Sequence, residues 1–312
     1  MLLGGSGFIG GRLARRLQAQ GDAPVIVDRV RPSQPDVEYH AAGLRTVGDL
    51  MPDVLESVQA VYLLAWTTKP QEADQSPAGD LESNVMATLH LLDCMTRLQR
   101  RPRLIFISTG GAAYGPAAPT PTPESACVDP IGAYAIGKLV CERYLALYHR
   151  QHGLDYLVAR PGNPYGEGQD PQANQGAVAV FLGRLARNES ITIWGDGGVI
   201  RDYLYIDDLV AGLAAMLDYQ PADAAAPRIF NFGSGVGVSL TQLLQKIAAV
   251  TGVTPRVRHE PARAVDVPGV ILDCTRAKQL LGWSVATELE VGLAQTWRRF
   301  AADGDKLKQQ DD

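Results

Sequence analysis

Tyr134 and Lys138, in the stretch Tyr-Ala-Ile-Gly-Lys, place a phenol and an ammonium one helical turn apart. Side chains four apart share a helix face, so Lys138 can approach Tyr134 and favour its phenolate, which near neutral pH is a general base. The chemistry on offer is removal of a proton from a hydroxyl. Taken alone, such a pair is more often an ordinary surface contact, and the rest of the chain must decide. A second stretch, Ser108-Thr109, supplies hydroxyls that could hold the oxygen being deprotonated.

The body that positions these groups is globular. With 312 residues, 46% hydrophobic and 20% charged, the chain can bury a substantial core in one large or two closely packed domains. A net charge of −5 and a pI near 5.6 argue against nucleic-acid coating and against a basic membrane-binding surface. Cys94, Cys127, Cys141 and Cys274 are scattered without a CxxC pair, which suits reduced thiols rather than a disulfide framework or a zinc site. His149 and His152 read as solvated surface, so no metal is expected. No leader and no run of roughly 20 apolar residues is visible. The expectation is a cytoplasmic protein.

Leu2 and Leu3 run into Gly4-Gly5-Ser6-Gly7-Phe8-Ile9-Gly10, and Leu13, Ala14 and Leu17 follow at helical spacing. Strand, glycine turn and helix together bring backbone N–H groups toward a diphosphate at the positive end of the helix. Val25-Ile26-Val27 forms the next strand and ends in Asp28, where a carboxylate accepts hydrogen bonds from a ribose diol. This favours NAD, although Arg29 keeps NADP from being excluded. The first strand has only three residues before the glycines, which suggests a start upstream.

Strands are expected over Val37–Ala41 and Ala60–Leu64, with a helix over Asp49–Val58 between them. This βαβα alternation predicts an α/β fold with a Rossmann-type doubly wound parallel sheet. Leu81, Val85, Leu89, Leu92 and Met95 mark a long amphipathic helix over Asp80–Leu98. Leu104–Ile107 is a buried strand whose C-terminal end, the place for ligand chemistry in such sheets, is Ser108-Thr109. The helix carrying Tyr134 follows.

Taken with Asn84 in the long helix and Arg160-Pro161-Gly162-Asn163-Pro164-Tyr165-Gly166, these motifs resemble the extended short-chain dehydrogenase/reductases of the nucleotide-sugar epimerase/dehydratase group, over nearly the whole length. The resemblance is strongest to UDP-hexose and UDP-N-acetylhexosamine 4-epimerases. It implies bound NAD held by Gly4, Gly7, Phe8, Ile9, Gly10, Asp28, Leu64, Ala65, Asn84, Tyr134, Lys138 and Pro161. It also implies an NAD-binding domain over residues 1–165, to which 228–250 returns, and a smaller C-terminal α/β domain over 166–312 that binds the nucleotide sugar. Asn163, Arg201, Arg263, Asp266 and Val270 take the substrate-contacting roles, the two arginines on the diphosphate. An ion pair of Arg201 with Asp202 or Asp208 is the alternative use of that side chain. A homodimer built on the helices Asp80–Leu98 and Ala133–His152 is implied as well.

The chain departs from the family pattern in three places. The usual catalytic hydroxyl falls at Gly110, so the role passes to Thr109 or to Ser108. Gly43 stands where an acid near the adenine is usual, and Trp66 replaces a small residue beside the cofactor. Dehydratases and decarboxylases of the group place an acid after the hydroxyl residue, and Gly110-Gly111-Ala112-Ala113 offers none. Simple epimerisation of a UDP-sugar follows. Val270, in place of a bulky Tyr, leaves room for an N-acetyl group, which points to UDP-GlcNAc/UDP-GalNAc and also admits UDP-Glc/UDP-Gal. A nucleotide-sugar reductase and a non-catalytic NAD-binding regulator are the alternatives.

Overall fold

A computed structural model describes residues 1–116, 118–172, 176–261 and 269–308. Apolar runs form seven parallel strands at its centre: β1 (Leu2–Leu3), β2 (Val25–Asp28), β3 (Glu38–Ala41), β4 (Ala60–Leu63), β5 (Arg103–Ile107), β6 (Tyr156–Pro161) and, after a long excursion, the segment Ile229–Phe232. In space they run Ile229–Phe232, β6, β5, β4, β1, β2, β3. The order reverses between β1 and β4, which in a doubly wound sheet opens a crevice for a dinucleotide at the carboxyl ends of the strands. Leu2, Ile26, Leu63, Ile105, Phe106 and Val158 are wholly buried, as continuous apolar strands covered on both faces must be. Short as β1 is, it is bracketed: the Met1 amine donates to the Ala60 carbonyl at 2.8 Å, and Tyr62 N–H returns to Met1 O at 2.9 Å.

Helix α1 (Phe8–Ala19) follows the glycine turn. The expected helix Asp49–Val58 is instead two, α2 (Val47–Leu50) and α3 (Pro52–Ser57). Pro52 has no N–H to continue α2 and its ring clashes with the preceding turn, so it starts a new helix instead. After α4 (Pro70–Gln75) and α5 (Pro77–Asp80), residues Leu81–Met86 pass through a π-helical stretch before α6 (Ala87–Arg97). The long amphipathic helix therefore carries a bulge at Asn84, of the kind that often marks functional positions. α7 (Ala133–His152) has the predicted bounds and ends on Gly153 at φ +68°, a left-handed stop that glycine adopts without strain.

Beyond β6 the chain builds the smaller layer with β7 (Asn163–Tyr165), α8 (Ala177–Ala186), β8 (Ile191–Trp194) and β9 (Ile200–Tyr205), and α9 (Ile206–Asp218) then returns to the central sheet, packing on α1 and accepting from the Tyr62 hydroxyl at Leu213 O at 3.0 Å. The returning strand Ile229–Phe232 is β10, and it pairs in parallel with β6. Then come β11 (Gly237–Ser239), α10 (Leu240–Thr251), β12 (Val257–Glu260), β13 (Gly269–Val270), α11 (Thr275–Leu281) and α12 (Leu289–Lys308). Strand β9 is central to this layer, pairing with β7, β11 and β13. Among the described residues no helix is long and apolar enough to cross a membrane.

Candidate active site

The glycine turn is shaped by close approach. Gly4 sits at φ +85°, and a Cβ there would lie 2.7 Å from the backbone nitrogen of Ala65. Only glycine lets the end of β1 pass so close to the end of β4. A Cβ on Gly10 would lie 2.6 Å from Gly4 O, so α1 also needs glycine to seat against the turn. Gly7 differs: a Cβ there would meet only Gly4 O, at 3.4 Å, and the residue caps α1 without a side-chain hydrogen bond. The first N–H groups of the helix, at Phe8 and Ile9, have no intrahelical acceptor and are left for an anion.

At the end of β2 the Asp28 carboxylate accepts from Ser6 N–H at 3.0 Å and Val30 N–H at 3.2 Å, which fixes it at the lip of the turn. Leu64 and Ala65 both donate to Leu3 O at 2.9 Å, folding the chain after β4 over the same turn. These residues fit a dinucleotide: glycine where backbone must come close, open helix N–H groups for the diphosphate, and a fixed acid for the ribose.

Tyr134 and Lys138 enter from α7, whose first turn is held by the Ala133 N–H donating to Asp74 at 2.8 Å. The Lys138 amine is buried, donates to Ile107 O at 2.7 Å, and lies 4.0 Å from the Trp66 ring centre, 4.9 Å from that of Phe106 and 5.7 Å from that of Tyr134. Trp66 meets Tyr134 edge to face at 5.8 Å. Gly137 makes this possible, since a Cβ there would lie 2.9 Å from Asp80 Oδ2 and 3.2 Å from Trp66. Trp66 thus packs directly on both reactive side chains. Its indole N–H donates to Asp80 Oδ1 at 3.2 Å, and the same oxygen accepts from Asn84 Nδ2 at 2.9 Å and from the Thr68 hydroxyl. The Asn84 side-chain oxygen accepts from Thr67 N–H at 2.8 Å, so this bulge residue ties down the loop that carries Trp66.

The electrostatics correct one expectation. Burial, with Asp80 adding to it, pushes the Tyr134 phenol up to about 12. Burial also draws the Lys138 amine down to about 7, against the opposing pull of Cys141, Asp80 and Glu142. Within the protein itself Lys138 does not lower Tyr134, because its hydrogen bond goes to Ile107 O and its charge faces Trp66. A testable consequence concerns stability. An unfolded lysine titrates near ~10.4, so between about 7 and that value the unfolded chain binds the extra proton. The contribution of Lys138 therefore rises with pH through this window and is lost as pH falls toward 7. Urea denaturation of Lys138→Met against wild type should show a shallower rise with pH across that range, and identical slopes would refute it.

The two candidate hydroxyls part company. Ser108 is buried and its Oγ donates to Glu142 at 2.5 Å, whereas Thr109 is half-buried. Glu142 in turn pairs with buried Arg160 at 2.5 Å, and Arg160 donates to the Tyr114 hydroxyl at 3.0 Å. At Gly110 a Cβ would lie 2.7 Å from Leu272 and 2.8 Å from Arg160 O, so a hydroxyl-bearing side chain there would force the strand ends apart.

Pro161 closes β6 and accepts from Gly110 N–H at 2.7 Å. Asn163 follows, its amide donating to Asp202 O at 3.3 Å and sitting 3.4 Å from where a Cβ on Gly111 would lie. Arg201, on β9, is in register with Val238 and Val270. Its neighbour Asp202 is fully buried and accepts from Ser234 N–H and Oγ at 2.6 Å and Leu272 N–H at 3.0 Å, so that carboxylate is committed to the β10–β11 turn. Val270 packs with Tyr114 and Leu272. Arg263 and Asp266 lie outside the described residues. Asp80 and Gly137 are site residues that the sequence reading passes over, and Trp66 enters it only as a departure beside the cofactor. The one available signal was a glycine inside a helix, which costs stability unless something approaches it.

Residues 1–233 match the NAD dependent epimerase/dehydratase family. The UDP-glucose 4-epimerase of Mycolicibacterium smegmatis is 30% identical, with 96% of this chain and 97% of that protein covered. A crystal structure of the Thermotoga maritima UDP-glucose 4-epimerase with UDP-glucose superposes with a TM-score of 0.89 at 32% identity, covering 97% of this chain and 98% of that one. The Thermus thermophilus UDP-glucose 4-epimerase in complex with NAD gives 0.84 at 27% identity, over 96% and 97% of the two chains. With a family match over more than half its length and a glycine cradle of the required shape, the chain belongs to the NAD-dependent epimerase/dehydratase family.

Proposed function

We propose that this enzyme inverts C4 of a UDP-sugar through a transient 4-keto intermediate. The observation that carries the reading is the Tyr134–Lys138 pair set against the end of β5, beside a dinucleotide cradle and a strand-end loop that holds no carboxylate at 110–113. NAD⁺, when bound to Gly4, Gly7, Phe8, Ile9, Gly10 and Asp28, supplies the hydride acceptor and returns the hydride. Tyr134 takes the proton of the C4 hydroxyl as that carbon is oxidised and gives it back after the keto-sugar has turned its other face. Thr109 holds the sugar oxygen, and Asn163 and Arg201, with Arg263 and Asp266, hold the nucleotide. Similarity to three UDP-glucose 4-epimerases supports the reaction. The small side chain at Val270, in place of a bulky one, is the ground for including N-acetylated sugars, UDP-GlcNAc and UDP-GalNAc, alongside UDP-Glc and UDP-Gal.

Purified protein incubated with each UDP-sugar and followed by NMR should show C4 inversion without net consumption of reduced cofactor. Stoichiometric NADPH use would instead mark a reductase. Turnover of UDP-glucose alone would remove the Val270 argument. Thr109→Ala should lower kcat by about 10²-fold or more as the loss of a positioned hydroxyl in the transition state. Ser108→Ala should leave kcat within a few-fold and cost about 1–3 kcal/mol of stability as the loss of a bond to a buried charge. The reverse ranking would give Ser108 the catalytic role.

Leu81, Met86, Ile136 and Tyr144 leave apolar side chains exposed on the π-helical stretch and on α7, and pairing of two copies through these helices would cover them. A monomeric mass by sedimentation would count against a dimer.

A further inference from the structure

Where α2 packs on α6, three side chains unrelated to the Tyr134 site converge. His90 and Cys94 are four apart on α6 and share one face, and Asp49 reaches them from α2. His90 Nε2 lies 2.7 Å from Asp49 Oδ2, Cys94 Sγ 3.6 Å from Asp49 Oδ1, and Cys94 Sγ 3.8 Å from His90 Nε2. One donor atom from each residue falls within 4.8 Å of the others. Gly48 permits the approach, since a Cβ there would lie 2.7 Å from Cys94 Sγ.

A nucleophile–base–acid relay is excluded by the geometry. In such a relay the thiol and the carboxylate use opposite nitrogens of the imidazole, with the ring between them. Here both meet Nε2, and the carboxylate also touches the thiol. Donors gathered round a common point are instead the arrangement of a chelate. Tetrahedral zinc, with its metal–ligand lengths near 2.0–2.3 Å, separates its donors by about 3.3–3.6 Å; Cys94 lies 3.6 Å from Asp49 Oδ1 and 3.8 Å from His90 Nε2, close to that spacing, while the 2.7 Å hydrogen bond between His90 Nε2 and Asp49 Oδ2 has to open as a cation takes the place of the shared proton. The donor set of one sulfur, one imidazole nitrogen and one carboxylate oxygen selects zinc-like cations over magnesium or calcium. Cys94 is buried while the Asp49 and His90 side chains are 58% and 40% exposed, so the sulfur is sheltered and the cation has an open route in.

We propose that Asp49, His90 and Cys94 bind one zinc-class divalent cation, leaving a fourth position for water, and that the cation clamps α2 onto α6. Spacing in the sequence hides the site, because its third ligand comes from a separate helix.

The test uses the full chain, stripped of metal and titrated with Co²⁺. One equivalent should produce a sulfur-to-cobalt charge-transfer band and visible bands of four-coordinate intensity, displaced by Zn²⁺, and Zn²⁺ should raise the thermal midpoint. His90→Ala and Cys94→Ala should each abolish the band and the midpoint shift while far-UV circular dichroism and NAD binding are kept, and Cys127→Ser should retain both. Absence of the band in wild type, its survival in His90→Ala, or its loss with Cys127 would overturn the proposal. If Cys94→Ala does not fold, the half-exposed His90→Ala decides alone.

Discussion

Tyr134→Phe should retain NAD and lower UDP-sugar turnover by about 10²–10⁴-fold, the range for removing a positioned general base. The substitution deletes one oxygen and keeps the ring, so the edge-to-face contact with Trp66 at 5.8 Å survives, as does the Lys138 hydrogen bond to Ile107 O at 2.7 Å. The cradle of Gly4, Gly7 and Asp28 is on another part of the sheet edge and is untouched. The size of the effect follows from the electrostatics. A phenol pushed up to about 12 is a poor base at neutral pH, so its competence depends on positive charge arriving at the site. NAD⁺ bound in the glycine cradle would supply that charge, and the base would then be coupled to the oxidised cofactor. Turnover measured by NMR, together with NAD released on denaturation, checks both halves. Near-wild-type turnover in the variant would remove Tyr134 from the mechanism, and loss of NAD would show that the phenol is chiefly a cofactor contact.

Much of this site is legible in the sequence because it is written in local spacing. A four-residue step on one helix gives Tyr134 and Lys138, and a glycine turn between strand and helix followed by a strand ending in Asp28 gives the dinucleotide cradle. What stays hidden is contact between distant elements. Lys138 reads as a partner for Tyr134, yet its hydrogen bond goes to the end of β5, because a buried ammonium needs an acceptor and Ile107 O is within reach. Trp66 reads only as a replacement for a small residue beside the cofactor, yet Gly137 admits it against both reactive side chains. The π-helical stretch at Leu81–Met86 is invisible to a 3.6-residue period, since the apolar stripe continues across it. Nothing in the sequence pairs Glu142 with Arg160, and only the packing of α7 on β6 reveals them as buried partners.

Those two charges carry the largest expected stability effect. Glu142→Ala should destabilise the fold by about 3–5 kcal/mol, the cost of leaving a buried charge without its partner. The side chains of Arg160 and Glu142 are 3% and 2% exposed, so water cannot replace what is lost. Glu142 accepts from Arg160 Nε at 3.0 Å, from Arg160 Nη2 at 2.5 Å and from Ser108 Oγ at 2.5 Å. After truncation the guanidinium keeps the Tyr114 hydroxyl, a neutral group, at 3.0 Å. The pair is more than an isolated bridge, because Tyr114 passes its own hydrogen to Asn231 on β10 at 2.7 Å, and Asn231 donates to Thr122 O at 3.0 Å. The network therefore joins the end of β5, α7, β6 and the returning strand around the loop that carries Thr109. Joint replacement by Glu142→Leu and Arg160→Met should cost less than Glu142→Ala alone, since apolar groups of similar volume leave no charge unpaired. Urea denaturation of the single and double variants measures the difference. A Glu142→Ala protein within about 1 kcal/mol of wild type would mean that Arg160 finds another anion or reaches solvent. A double variant less stable than the single would mean that the charges hold the strand ends in register more than they burden the core.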